Sequence, residues 1–356
     1  MKKLSLLIAL LISASAVFSQ VKFEKGSVSE VLAKAKSENK IVMVDVLTDW
    51  CKWCIELDNK VYAKSEIYDF ANANQINYKI DAEKGEGIKF AKKYNIQGYP
   101  TILFLDASGN EIDRIYGYVP MKEFKEMMVD YNKGINTYGD LKSKLEKDPN
   151  DIEANIKFAD KLMTLSELDN AKKHLSKVIE TDPENKAGKT DDAKYKLVSL
   201  SDKETIIQNL ENFIKENPES DVLKEAYINL SESYFYVKND EGNSEKWFKE
   251  TLSKYPNDDI VNSSYGQYLN QRAYALMDKG TTEDDYKKGL SFIDAALPFV
   301  SGSVNEASAY YIQSKLYYNL KEYSKALESI DKSLKIFNRK LYRDHKEKIE
   351  KQLSSK

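Results

Sequence analysis

The sequence predicts two units of different class: an α/β unit with a central sheet, then an all-α unit of repeated helical hairpins. Three observations carry that expectation. Across residues 23–132 short apolar runs alternate with amphipathic helical patterns, as in a sheet layered with helices. From Tyr138 onward the strand pattern stops, and helices of about a dozen residues follow one another, broken by Pro, Asn and Asp. Within that stretch Pro183, Pro218, Pro256 and Pro298 follow helical segments at intervals of 35, 38 and 42 residues, the spacing of a helical solenoid.

Taken in order, residues 28–38 read as an amphipathic helix and 42–47 as a buried strand. Residues 51–63 and 66–73 read as helices, 76–80 as a strand, 88–94 as a helix and 101–105 as a strand. Asp106-Ala107-Ser108-Gly109-Asn110 is a turn, so 111–116 pairs back as a hairpin, and 121–131 closes the unit as a helix. The stretch Lys133 to Gly139 carries two glycines between two packing rhythms. The expected units are therefore residues 21–133 and 140–356.

The clearest helical units are 152–185, with Ala159, Leu162, Ala171 and Leu175 before Asp182-Pro183, and 307–337, with Tyr310, Ser314, Tyr317, Ala326, Leu327 and Ile330. Small residues at fixed places let the two helices of a hairpin approach, and the large ones fill the groove to the next hairpin. This half resembles tetratricopeptide repeats. Between the clear units the match is looser: Ser244, Phe248 and Pro256 fit a second helix, and Tyr286 stands where a small residue is usual. Four to five hairpins and a capping helix over 339–353 are expected, with an unclassified helical bundle as the alternative.

Lys2 and Lys3 precede an apolar stretch, residues 4–18, too short to span a bilayer comfortably. With small Val17 and Ser19 at the positions a signal peptidase reads, residues 1–19 are expected to be a signal peptide cleaved before Gln20. An uncleaved anchor is the alternative. The mature chain is then exported, periplasmic in a two-membrane bacterium and otherwise extracellular, with no membrane span. Lys and Arg number 54 against 57 Asp and Glu, evenly spread, for a net charge of -3. That balance argues against a nucleic-acid or polybasic membrane-binding protein.

Only two cysteines are present, in Trp50-Cys51-Lys52-Trp53-Cys54. A structural disulfide framework uses several distant pairs, and a bridge across two residues stabilises little. A redox role is the better reading. Cys51, expected at the exposed tip of a helix, has unpaired N–H groups, the helix dipole and Lys52 to favour a thiolate. Cys54, one turn later and facing inward, is placed to resolve a mixed disulfide. Zinc requires further ligands at similar spacing. The two histidines, His174 and His345, lie in the helical half and are expected to be exposed. Haem attachment needs His where Ile55 stands.

Val44-Asp45, the Cys-x-x-Cys segment, Gly98-Tyr99-Pro100-Thr101 and Gly117 together resemble the thioredoxin pattern over residues 23–132. Lys-Trp between the cysteines, Asp58, Val61, Tyr62 and Asp81-Ala82-Glu83-Lys84-Gly85 look more like the exported thioredoxin-like domain of DsbD-type thiol:disulfide interchange proteins. The resemblance implies an α/β thioredoxin fold, a central mixed sheet with flanking helices. It implies a cis Pro100 beside the redox pair. Asp45 is implied as a buried acid that accepts the Cys54 proton, with an ordinary strand-end Asp as the alternative. The basic residue of thioredoxin's neighbouring strand has no obvious counterpart, Asn77 standing near its place with Lys79 two residues on.

The expected function is that of an exported thiol–disulfide oxidoreductase, a protein-disulfide reductase, with Cys51, Cys54 and Asp45 carrying the chemistry. Trp50, Lys52, Trp53, Tyr99, Pro100 and Thr101 are expected to frame the substrate. No metal or bound cofactor is expected, since the couple is the cysteine pair. Expected partners are protein thiol or disulfide substrates, a protein electron donor, and a peptide or protein on the helical repeats. The alternative is a protein-binding scaffold whose first half is a redox-sensing or recognition module.

Overall fold

A computed structural model describes residues 20–355. The expected signal peptide, residues 1–19, lies outside them. The first half contains strands β1 (Phe23–Glu24), β2 (Ile41–Leu47), β3 (Gln75–Asp81), β4 (Thr101–Leu105) and β5 (Glu111–Tyr116). Its helices are α1 (Val28–Glu38), α2 (Lys52–Leu57), α3 (Ser65–Asn74), α4 (Gly87–Lys93) and α5 (Met121–Asn132). The strand order is β1-β3-β2-β4-β5. β1 and β2 run parallel to β3, while β4 pairs antiparallel with both β2 and β5. Every element expected in this half is present within a residue or two, except that the helix expected over 51–63 divides into α2 and a π-helical turn, Asp58–Tyr62. The two-residue β1 was not foreseen, being too short for a periodic signal.

β2 shows how the sheet sorts its side chains. Alternate residues point to opposite faces. Val42, Val44 and Val46 pack with Val31 and Ala35 of α1 and Phe90 of α4. Met43 faces the other way, against Leu57, Val61, Tyr62, Ile67, Phe124 and Met128. Asp45 shares the phase of Met43, so a carboxylate is directed at the layer that holds the redox helix. β3 alternates likewise: Ile76, Tyr78 and Ile80 join the α1 and α4 side, which leaves Gln75, Asn77 and Lys79 beside Met43 and Asp45.

The second half consists of α6 (Tyr138–Lys147), α7 (Ile152–Thr164), α8 (Leu168–Thr181), α9 (Thr190–Ser199), α10 (Ile206–Glu216) and α11 (Leu223–Tyr236), then α12 (Glu241–Lys254), α13 (Asp259–Lys279), α14 (Glu283–Val300), α15 (Val304–Asn319), α16 (Tyr323–Ile336) and α17 (Lys340–Ser354). These form tetratricopeptide-like hairpins, α7 with α8 through α15 with α16, closed by α17. The anticipated small positions Ala159, Ala171, Ser244, Ser314 and Ala326 are all fully buried. Pro183, Pro218 and Pro256 follow α8, α10 and α12 as expected. Pro298 does not follow a helix: it lies inside α14, near its end, where few later turns depend on the missing N–H. The close contact anticipated at Tyr286 moves one turn on to Gly289, where any Cβ falls 2.9 Å from Leu316.

His345 corrects another expectation. It is buried, not exposed, bonded to Ser314 Oγ at 3.1 Å, and burial pushes its imidazole down to about 4. His174 is half-buried and bonds Asn155 Oδ1 at 2.7 Å. Most of the tyrosine-rich stretches are packing, as Tyr311 on Tyr342 shows with ring centroids 4.7 Å apart; Tyr236 stays exposed.

Among the described residues the two halves touch at the junction and again far along the chain. At the junction Asp113 of β5 accepts from Lys161 Nζ at 2.8 Å and from the Tyr138 N–H at 2.7 Å. Far along the chain, α15 returns to α2: the Val304 N–H donates to Glu56 Oε1 at 2.6 Å.

Candidate active site

The site grows from the turn between β2 and α2. The Cys51 N–H donates to Thr48 O at 3.1 Å, which turns the chain so that Cys51 becomes the N-cap of α2. Its sulfur does what a Ser or Asp side chain does at a helix start: it accepts the Cys54 N–H, at 3.1 Å. Cys51 and Cys54 are joined as a disulfide with Cα atoms 5.4 Å apart. When the bond opens, that N–H and the positive end of the helix favour a thiolate on Cys51. Contrary to the expectation of an exposed first cysteine, both cysteines are only 4% exposed.

Around the pair, Tyr99-Pro100 is a cis peptide, and the Pro100 carbonyl accepts the Gly117 N–H at 2.8 Å. Trp50 is 50% exposed; its ring meets Tyr99 edge-on at 5.7 Å, and its indole N–H donates to Glu83 at 3.0 Å. Trp53 packs on Tyr118 at 5.6 Å. Lys52 stands over the Trp53 ring at 5.2 Å. Burial lowers the Lys52 ammonium below its ordinary value, Glu56 opposing and Arg339 adding to the shift. Thr101 is fully buried and donates to the Gly98 carbonyl at 2.8 Å, so its side chain braces the Pro100 loop from within.

Asp45 is fully buried, and neither carboxylate oxygen accepts a hydrogen bond. Lys79 lies opposite it in register, with Nζ 3.5 Å from Oδ2. Burial pushes the carboxyl up from 3.8 to about 6, with Lys79 opposing and Asp58 adding to the rise. Asp58 begins a single π-helical turn, Asp58–Tyr62, that continues α2, and it pairs with the same lysine. Such wide turns often sit at functional sites. A carboxyl that titrates near 6 is suited to take and return a thiol proton near neutral pH.

Of the two residues near the expected basic position, Lys79 is the one that meets Asp45, while Asn77 accepts from Gln75 at 3.0 Å. The signal was available, since Lys79 has the polar phase of β3 and that phase faces α2. Asp58, Glu56 and Glu83 were also missed as site residues.

Among known proteins, residues 28–132 match the family model described as a thioredoxin-like domain. The thiol:disulfide interchange protein DsbD of Yersinia pestis (strain Pestoides F) is 33% identical over 93 residues, covering 25% of this chain and 16% of that protein. The chain thus spans about a sixth of the length of the curated relatives it matches. A Bacteroides thetaiotaomicron protein studied in solution as a candidate disulphide-isomerase is 35% identical, with 32% of this chain and 93% of that one covered and a TM-score of 0.30. The tetratricopeptide protein YrrB, described with an unusual peptide-binding site, is 18% identical over 58% of this chain and 97% of its own, at a TM-score of 0.36. Residues 28–132 thus carry a thioredoxin-like domain, and the helical hairpins α7 to α16 follow it.

Proposed function

We propose that this protein is an exported thiol–disulfide oxidoreductase that works as a protein-disulfide reductase. The observation that carries the reading is the Cys51–Cys54 disulfide at the N-terminus of α2, with the Cys54 N–H on the Cys51 sulfur, and a cis Pro100 immediately before β4, the strand paired with β2. In the reduced state the Cys51 thiolate attacks a substrate disulfide and forms a mixed disulfide, releasing one substrate thiolate. Cys54, its proton passed to Asp45, then attacks Cys51 and releases the second. Two electrons and two protons leave the dithiol and reach the substrate, and a protein thiol donor restores the pair. Trp50, Tyr99 and Pro100 receive the substrate segment, while Lys52 bonds Asn305 and Trp53 packs on Tyr118 instead.

Export rests on the basic, then apolar, residues 2–18 and on the DsbD-like character of the redox half. Among the described residues no helix is long and apolar enough to cross a membrane. The helical half supplies a surface for protein partners. Equilibration of the mature protein with glutathione tests the direction. A potential near about -270 mV supports a reductase, and one near about -120 mV overturns that direction in favour of an oxidase.

A further inference from the structure

The face of α2 next to the cysteines is covered by the other end of the chain. Lys52, Ile55 and Glu56 stand at i, i+3 and i+4, on one side of the helix. Each meets the helical half. Lys52 Nζ donates to Asn305 Oδ1 at 3.1 Å. Ile55 packs against the cluster that contains Phe337 and Tyr342. Glu56, 4% exposed, accepts the Val304 N–H at 2.6 Å while its other oxygen pairs with Lys60 at 3.0 Å. Val304 is the first residue of α15, and its N–H is one of the groups a helix start leaves without an internal partner. Ser303 caps Asn305, so the Val304 position is filled by a carboxylate from about 250 residues away. A charged acceptor at a helix N-terminus is among the stronger hydrogen bonds a surface contact makes.

We propose that α15 and the turn before α17 form a fixed wall of the redox site, and that Glu56, Asn305 and the Val304 N–H are positioning groups that set substrate size. With one flank of α2 closed, a disulfide reaches Cys51 only past Trp50, Tyr99 and Pro100. The substrate class is then a disulfide in a small molecule or an extended, accessible chain segment. Disulfides set within a compact folded protein are disfavoured. This rests on the oxidoreductase reading above.

The test uses the full mature chain, with hydroxyethyl disulfide as the small substrate and native insulin as the compact one. Val304→Pro removes the N–H that Glu56 needs. Proline is tolerated at the first position of a helix, and Ser303 already has the extended backbone (φ -122, ψ 165) that precedes proline. Glu56→Ala removes the acceptor. Asn305→Asp turns the Lys52 contact into an ion pair and tightens the wall. The ratio of kcat/KM for insulin to that for hydroxyethyl disulfide is expected to rise roughly tenfold in Val304→Pro and Glu56→Ala, the lower end for one lost charged hydrogen bond. It is expected to fall in Asn305→Asp. Circular dichroism identifies any variant that has lost its helices, and Asn305→Asp, nearly unchanged in shape, decides the matter if the other two have. A ratio that none of the folded variants moves overturns the wall. A parent chain that reduces neither substrate instead overturns the oxidoreductase reading itself.

Discussion

Lys79 stands opposite Asp45 in the parallel pairing of β2 and β3, its ammonium 3.5 Å from a carboxylate that is fully buried and otherwise without a hydrogen bond. The same lysine pairs with Asp58 in the turn that extends the redox helix. One cation thus joins two strands of the sheet to α2, and desolvation outweighs its attraction: the Asp45 carboxyl is raised, not lowered, to about 6.

Asp45→Asn is expected to stabilise the protein above neutral pH and to do little in acid. The folded state binds the Asp45 proton more tightly than the unfolded chain does. Stability therefore falls as pH rises from about 4 to about 6, and the full penalty is present above that. A rise of about two pKa units corresponds to about 3 kcal/mol at pH 8. Urea unfolding of both proteins at about pH 4 and pH 8 checks this, and an equal gap at both pH values would rule out titration of Asp45 as the cause.

The same group is expected to shape the pH–rate profile. Resolution by Cys54 should accelerate as Asp45 ionises, with an inflection near about 6 that Asp45→Asn abolishes. Lys79→Met removes the one effect of Lys79 on that carboxyl, which is to lower its pKa, so the inflection should move to higher pH. Stopped-flow reduction of a small disulfide across that range reads both. An inflection that stays in place in Lys79→Met would show that another group sets it.

Cys51→Ser is expected to abolish disulfide reduction, whereas Cys54→Ser should still be attacked or attack once and then hold the mixed disulfide. Mass spectrometry after incubation with an oxidised substrate reads the adduct. An adduct on Cys54 in the Cys51→Ser protein, with none on Cys51 in Cys54→Ser, would reverse the assignment.

At the junction between the halves, Lys161 is nearly buried and holds Asp113 at 2.8 Å and the Tyr131 hydroxyl at 2.9 Å. Lys161→Met leaves the buried Asp113 carboxylate with only the Tyr138 and Arg114 backbone N–H groups. A loss of about 3 kcal/mol in urea unfolding is expected, as for breaking one side of a buried pair. Unchanged stability would mean that the two halves unfold independently of this contact.

Local pattern sufficed for much of this protein. Short apolar runs bounded by turns fix β2 to β5, helical periodicity and Pro spacing fix the hairpins of the second half, and Cys51-Lys52-Trp53-Cys54 after a strand names the redox pair. All of these depend on residues close in sequence, whose periodicity and capping act within one element. Pro298 departed from the pattern because a helix tolerates proline where few later turns need its N–H, and His345 because burial on a helix depends on the face it presents.

The site's surroundings were decided in three dimensions. Asp45 and Lys79 are 34 residues apart and meet only because β2 and β3 pair in one register and share one face. Glu56 and Val304 meet only because successive hairpins carry the chain back to α2. A solenoid's course is the sum of many small packing angles, each set by side chains such as Gly289 and Leu316 that touch across hairpins. The sequence by itself pointed to the cysteine pair and to thiol–disulfide exchange as its class of chemistry. The tertiary structure alone decided which charges surround that pair and which side of it stays open, because electrostatics and access depend on distance in space and not on separation along the chain.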